Sequence, residues 1–169
     1  MDKLYAPWRD RYVRQAIKGT FDQQACVFCS LFDDAELDAQ RFILWKNQNI
    51  AVILNLYPYN GGHVMIIPKS HVSELYELSK FELQEVMLAT AQSSKILKQA
   101  LACEGINIGA NIGRIAGAGI PQHVHVHIVP RFAGDTGFFT TIGNTKQISV
   151  DLEIIYKKLE PFFDKNLFG

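Results

Sequence analysis

Between residues 42 and 68 the apolar residues arrive in three bursts, FILWK, IAVILN and GHVMIIP, separated by the turn-forming segments NQN and YPYNGG. Short runs rich in β-branched residues and bounded by Asn, Pro and Gly predict three strands joined as an antiparallel meander. From Ser79 the pattern turns helical. SKFELQEVMLATAQSSKILKQALA sets Phe81, Val86, Leu88, Ile96 and Leu97 among polar residues, with Ser79 placed as an N-cap ahead of Glu82. INIGAN and HVHVHIVP return to strand character across the Gly/Ala-rich connection IGRIAGAGIPQ, and SVDLEIIYKKLEPFF predicts an amphipathic C-terminal helix. The expected fold is α+β, an antiparallel sheet of about five strands packed with a long helix and a C-terminal helix, rather than a doubly wound parallel sheet.

The length of 169 residues suits one domain, divided by its patterning into an N-terminal arm (1–25), a core (26–140) and a C-terminal extension (141–169). The arm carries an aromatic cluster, Tyr5, Trp8 and Tyr12. Basic and acidic residues cancel at 17 each, so no basic field exists to hold a nucleic-acid duplex. A small phosphorylated ligand needs only a local group of donors. No apolar run approaches the ~20 residues that cross a bilayer, and MDKLYAPWRDRYV lacks the apolar core of a secretion signal, so the expected setting is cytoplasmic with no membrane partner. The three cysteines, Cys26, Cys29 and Cys103, are an odd number and a poor disulfide framework. Cys26-x-x-Cys29 reads as half of a metal site, a redox pair or two buried free thiols, and Cys103 as core.

Three of the five histidines fall within QHVHVHIVPR, at positions 123, 125 and 127. Strand alternation places His123, His125 and His127 on one face and Val124, Val126 and Ile128 on the other, with imidazoles roughly 6.5–7 Å apart and out of direct contact. A solvated face, a metal site and a phosphate site are the competing readings. The first carboxylate after the strand is Asp135, which disfavours a metal site built on the triad. The preceding GANIGRIAGAGIP favours phosphate, because glycines let backbone N–H groups form a concave nest; Asn111 adds a side-chain donor and Arg114 a charge. A neutral imidazole is also a competent nucleophile towards phosphorus.

HVHVHIV has the form His-φ-His-φ-His-φ-φ, with φ apolar, and resembles the signature of the histidine triad superfamily of nucleotide hydrolases and transferases. APWR, CVFC, LNLYPYNGGHVMIIPKSH and GANIG through AGAGIPQHVHVHIVPRFAGDTGF extend the likeness over roughly residues 5 to 140, and are similar to the diadenosine tetraphosphate phosphorylase and hydrolase branch. The resemblance implies cleavage of dinucleoside polyphosphates through a covalent nucleotidyl-histidine, by phosphorolysis or hydrolysis. It makes His125 the nucleophile, His127 the residue at the scissile bridging oxygen, and His63 a third histidine beside them. It further implies that Asn55 meets the ribose, that Asn111 with Gly117 and Gly119 cradles phosphate, and that Leu54, Leu56 and Phe28 flank the base. A structural zinc held by Cys26, Cys29, His71 and His123, no organic cofactor, and a homodimer complete the implied picture.

One departure qualifies the likeness. The fragile-histidine-triad branch carries a phosphate-contacting glutamine in this loop, where Ala118 and Gly119 stand here, and Gln122 is not at the matching place. Three other functions compete with a dinucleoside polyphosphate enzyme: a non-catalytic nucleotide sensor or adaptor, a hydrolase of adenylyl phosphoramidates or esters, and a zinc hydrolase with the triad as ligands.

Overall fold

The computed structural model describes residues 26–33, 35–135, 142, 143, 148 and 151–163. The aromatic cluster of the N-terminal arm lies outside them. Five strands, β1 (Ile43–Lys46), β2 (Ile50–Leu54), β3 (Val64–Pro68), β4 (Gly105–Gly109) and β5 (Val126–Arg131), form an antiparallel sheet in the order β1-β2-β3-β5-β4. Among the described residues two helices accompany it, α1 (Lys80–Leu101) and α2 (Leu152–Phe163), together with three short 3-10 turns. This is the architecture that the patterning predicts.

The turns follow from local chemistry. Asn47 Oδ1 accepts the backbone N–H groups of Asn49 and Ile50, each at 2.8 Å, and this closes the β1–β2 hairpin. Glu85 on α1 accepts from both Asn47 and Asn49, so the hairpin tip is tied to the helix. Ser79 and Glu82 form the predicted capping box. Between β2 and β3, Gly62 adopts φ +84°, and a Cβ there would lie 2.4 Å from Leu101 Cδ1 and 3.3 Å from Pro130 Cγ. Only glycine takes that conformation without strain and clears the end of α1, so this position delivers His63 to the sheet.

Alternation divides the sheet into two faces. Val52, Leu54, Val64, Ile66, Val126 and Ile128 join the helices in the larger core, while Ile43, Ala51, Ile53, Met65 and Ile67 pack beneath Phe28 and Leu31 on the opposite face. Met65 is the cross-strand partner of His127, so the histidines share that second face, away from the helices.

The inward stripe of α1 differs from the one its largest side chains suggest. Val86, Ala89, Thr90, Ser93, Leu97 and Ala100 are buried, whereas Phe81 and Leu88 are 59% and 54% exposed. Small residues at intervals of three and four let the helix lie close on a sheet already filled by branched side chains. The C-terminal helix follows expectation: Ile155, Tyr156, Leu159 and Phe163 are buried, and the Tyr156 hydroxyl donates to the Ile43 carbonyl at 3.2 Å. Among the described residues no helix is long and apolar enough to cross a membrane.

Candidate active site

β5 holds His127, and the bend and short link that lead into it hold His123 and His125, so the strand begins later than the sequence pattern predicts. β3 and its leading turn hold His63, and the CVFC turn folds over both. The rings form a continuous row. His71 meets His123; Phe28 lies between His123 and His125, with centroids 5.5 and 4.9 Å away; His125 meets His127 at 4.8 Å; His63 and Tyr59 close the far end. The expected gap between neighbouring imidazoles is therefore absent for His125 and His127, whose rings touch edge to face. Strand geometry spaces the Cα atoms, but side chains lean along the strand and two rings on one face converge. Between His123 and His125 the space is filled by Phe28.

Three of the buried histidines are fixed in one tautomer by a backbone partner, and the fourth, His127, by His63. The His123 carbonyl, 2.9 Å from His125 Nδ1, can only accept, so His125 carries its proton there and turns an unprotonated Nε2 outward. The Pro68 carbonyl does the same for His123 Nε2 at 2.8 Å and leaves Nδ1 with a lone pair. At His63 the order reverses. The Tyr59 backbone N–H donates to Nδ1 at 3.0 Å, so His63 protonates at Nε2 and donates to His127 Nδ1, also at 3.0 Å. His127 must then present N–H at Nε2.

Burial favours these neutral forms. His63 is held down to about 3, first by burial and then by the nearby His127 and His125. His127 is held down to about 4 by burial and by His125. Burial also lowers His125 and His123, opposed in each by the hydrogen bond to a carbonyl. At neutral pH the site contains an uncharged nucleophilic nitrogen beside an uncharged N–H donor.

The histidines border a cavity of about 370 Å³, in the size range of small-ligand sites. Val27, Phe28, Ile53, Leu56, Met65 and Ile120 make its apolar end. Its polar end is formed by Asn111, Tyr59, Gly117, Gly119 and His127. Asn55 also lines it, but both ends of its amide already have partners: Oδ1 accepts from the Tyr57 N–H at 2.9 Å and Nδ2 lies 3.3 Å from His63 Nδ1. Arg114 is exposed and outside the lining, so phosphate would be met by neutral donors. Gly117, at φ +93°, turns the loop back towards the cavity. Leu54, Leu56 and Phe28, the residues expected to flank the base, border the cavity. Tyr59, Val27, Ile53, Met65 and Ile120 escaped the sequence reading. Strand parity with His127 could have found Ile53 and Met65, but nothing local marks Tyr59.

A second cluster adjoins the first. Cys26, Cys29, His71 and His123 bring one ligand atom each within 4.8 Å of one another. Cys26 Sγ and His123 Nδ1 are 3.4 Å apart, Cys29 Sγ and His71 Nδ1 3.3 Å, and Cys29 Sγ and His123 Nδ1 3.7 Å. Zinc bonds of their usual lengths, meeting near the tetrahedral angle, separate sulfur from nitrogen by about 3.6 Å. The set fits zinc, and the Pro68 carbonyl behind His123 is the outer partner that orients a ligating imidazole. Burial, with the adjoining Cys26 thiol, pushes Cys29 up to about 11. Cys103 is buried and remote from this set.

A histidine row that leads into β5 over a cleft, backed by a Cys₂His₂ cluster, defines a nucleotide-type site on an α+β scaffold. The family model of the HIT domain matches residues 36–134. Over 150 residues the chain is 35% identical to the AP-4-A phosphorylase of Mycobacterium tuberculosis, an alignment covering 88% of this chain and 77% of that protein. It is 32% identical over 93 residues to the asymmetrical bis(5'-nucleosyl)-tetraphosphatase of Schizosaccharomyces pombe, covering 55% of this chain and 50% of that one. A Zn-bound histidine triad family protein from Mycobacterium smegmatis shares the fold with a TM-score of 0.66 at 25% identity, covering 82% of this chain and 93% of that chain. The chain belongs to the HIT domain family, a family of nucleotide hydrolases and transferases.

Proposed function

We propose that the protein cleaves dinucleoside polyphosphates of the diadenosine tetraphosphate type through a nucleotidyl-His125 intermediate. The observation that carries this reading is the His125 Nδ1 to His123 carbonyl bond, which leaves Nε2 as a neutral, outward-facing nucleophile. The Nε2 lone pair forms a bond to the α-phosphorus as the bond to the bridging oxygen breaks, and that oxygen departs with the electron pair. His127 keeps its Nε2 proton and hydrogen-bonds the departing oxygen, which leaves as the polyphosphate anion, and His125 keeps its Nδ1 proton, hydrogen-bonded to the carbonyl of His123. Water, which gives up a proton to solvent, or inorganic phosphate then attacks phosphorus, the P–N bond breaks with its electron pair returning to Nε2, and neutral His125 is restored. Asn111 with the backbone at Gly117 and Gly119 holds phosphate, Asn55 meets the ribose, and the apolar end takes the base. The AP-4-A phosphorylase and asymmetrical tetraphosphatase relatives support this substrate class.

Zinc at Cys26, Cys29, His71 and His123 is structural in this reading, because four protein ligands leave no position for an activating water. His123 serves the metal, and the nucleophile sits outside the cluster, which disfavours a zinc hydrolase built on the triad. We retain the homodimer as an expectation; the exposed Phe81, Met87 and Leu88 on α1 offer apolar area for it, and a monomer by light scattering removes it.

The test is product analysis on diadenosine tetraphosphate with and without inorganic phosphate, on the native protein and His125→Ala. ADP plus ATP formed only with phosphate means phosphorolysis. AMP plus ATP, or two ADP, without phosphate means hydrolysis. Full activity in His125→Ala defeats the reading, while tight binding without turnover by the native protein makes it a nucleotide sensor.

A further inference from the structure

The polar end of the cavity holds a side chain that the roles above leave unused. Tyr59 packs its ring on His63 and His127, with centroids 4.7 and 5.6 Å away. It lines the cavity, and 47% of its surface remains exposed at the mouth. Its hydroxyl accepts from Asn111 Nδ2 at 3.3 Å, which leaves the O–H proton available to a ligand.

The neighbouring atoms show what that ligand must be. Asn111 Nδ2 also lies 3.5 Å from His127 Nε2. With His127 protonated at Nε2, both of these nitrogens are donors, so neither satisfies the other. The Tyr59 hydroxyl beside them, accepting from Asn111, still has its own proton to donate and makes a third donor there. Neutral donors that converge in this way fit an anionic oxygen. Order along the row gives the direction: Phe28 flanks His125 at the apolar end, and Tyr59 flanks His127 at the other. A phosphorus held at His125 therefore has its leaving side towards His127 and, beyond it, Tyr59.

We infer that Tyr59 is a substrate-binding residue whose hydroxyl, with Asn111 and His127, receives the phosphates on the leaving side of the α-phosphorus, and so selects polyphosphate leaving groups. This deepens the proposed function and rests on it.

Tyr59→Phe removes only the hydroxyl. It keeps the ring and the backbone N–H that sets His63, so the histidine relay survives. Equilibrium titration with AMP and with ATP, in the His125→Ala background so that nothing is consumed, reads the effect without turnover. Affinity for ATP should fall roughly tenfold or more, the effect of one hydrogen bond to a charged oxygen, while AMP changes less than about twofold. In the otherwise native protein, kcat/KM for diadenosine tetraphosphate should fall in parallel. Equal loss for AMP and ATP, or no loss for ATP, overturns the assignment. A native protein that binds ATP but never turns over diadenosine tetraphosphate defeats the enzymatic reading and leaves the Tyr59 titration to stand or fall separately. A protein that binds neither nucleotide defeats both.

Discussion

His63 Nε2 donates to His127 Nδ1 at 3.0 Å, and that bond decides which nitrogen of His127 carries its proton. The two residues are far apart in sequence and diagonal neighbours across β3 and β5. The bond's own direction is set by the Tyr59 N–H behind His63.

That relay predicts a graded response at His63. His63→Gln can still accept from Tyr59 and donate towards His127, whereas His63→Leu can do neither. Steady-state kinetics on diadenosine tetraphosphate should show kcat falling about 100-fold or more in His63→Leu and less in His63→Gln, since positioned proton donors contribute on that scale. Equal losses in the two variants would show that only packing matters there.

The same pair predicts acid sensitivity. His63 and His127 are held down to about 3 and about 4 in the fold, against about 6.5 unfolded, so the unfolded chain binds more protons between those values. Their stabilising contribution is complete above pH ~6.5 and is lost as pH falls towards 4, by up to about 1.4 kcal/mol per pH unit for each residue. Urea denaturation from pH 7 to 4.5 measures the slope, which should be shallower in His63→Leu.

Zinc should copurify as a single ion per chain, detected by atomic absorption. Chelation, or Cys29→Ser, should lower stability by several kcal/mol, each kcal/mol moving the melting midpoint by about 2–4 °C. A metal held there would join the CVFC turn to His71 and His123, so its loss should release Phe28 from the wall of the cavity. A metal-free protein with an unchanged midpoint would contradict a structural site.

Gly62→Ala should destabilise by about 1–3 kcal/mol, combining an unfavourable positive φ with overlap against Leu101. Adding Leu101→Ala relieves the overlap but not the backbone strain. The double variant should therefore lose less than the sum of the single losses, as denaturant titration of all three proteins would show.

On α1, Leu97→Ala should cost about 2–5 kcal/mol and Leu88→Gln within about 0.5 kcal/mol, although both are leucines of one helix. Leu97 is fully buried and Leu88 is 54% exposed. Melting curves of the two variants separate the faces directly.

Much of this was legible along the chain because it depends on neighbours in sequence. The hairpin at Asn47, the capping box at Ser79 and the i, i+4 stripe of α2 are short-range patterns, and the structure follows them. The triad was legible for the same reason, since alternation alone puts its histidines on one face. The inward face of α1 was not. Its depth of packing depends on how full the opposing sheet is, and a sheet crowded with Val, Ile and Leu admits Ala and Ser in preference to Phe81 and Leu88.

The sequence by itself determined the strands and helices, the alternation of the histidine strand and the presence of enough soft ligands for a metal. Tertiary structure alone decided which atoms of those histidines are available. The Pro68 carbonyl turns His123 Nδ1 to the cysteines, the His123 carbonyl frees His125 Nε2, and Tyr59 orders His63 against His127. An imidazole has two nitrogens and one proton to share between them in its neutral form, and the choice belongs to whichever backbone group the fold brings within 3 Å.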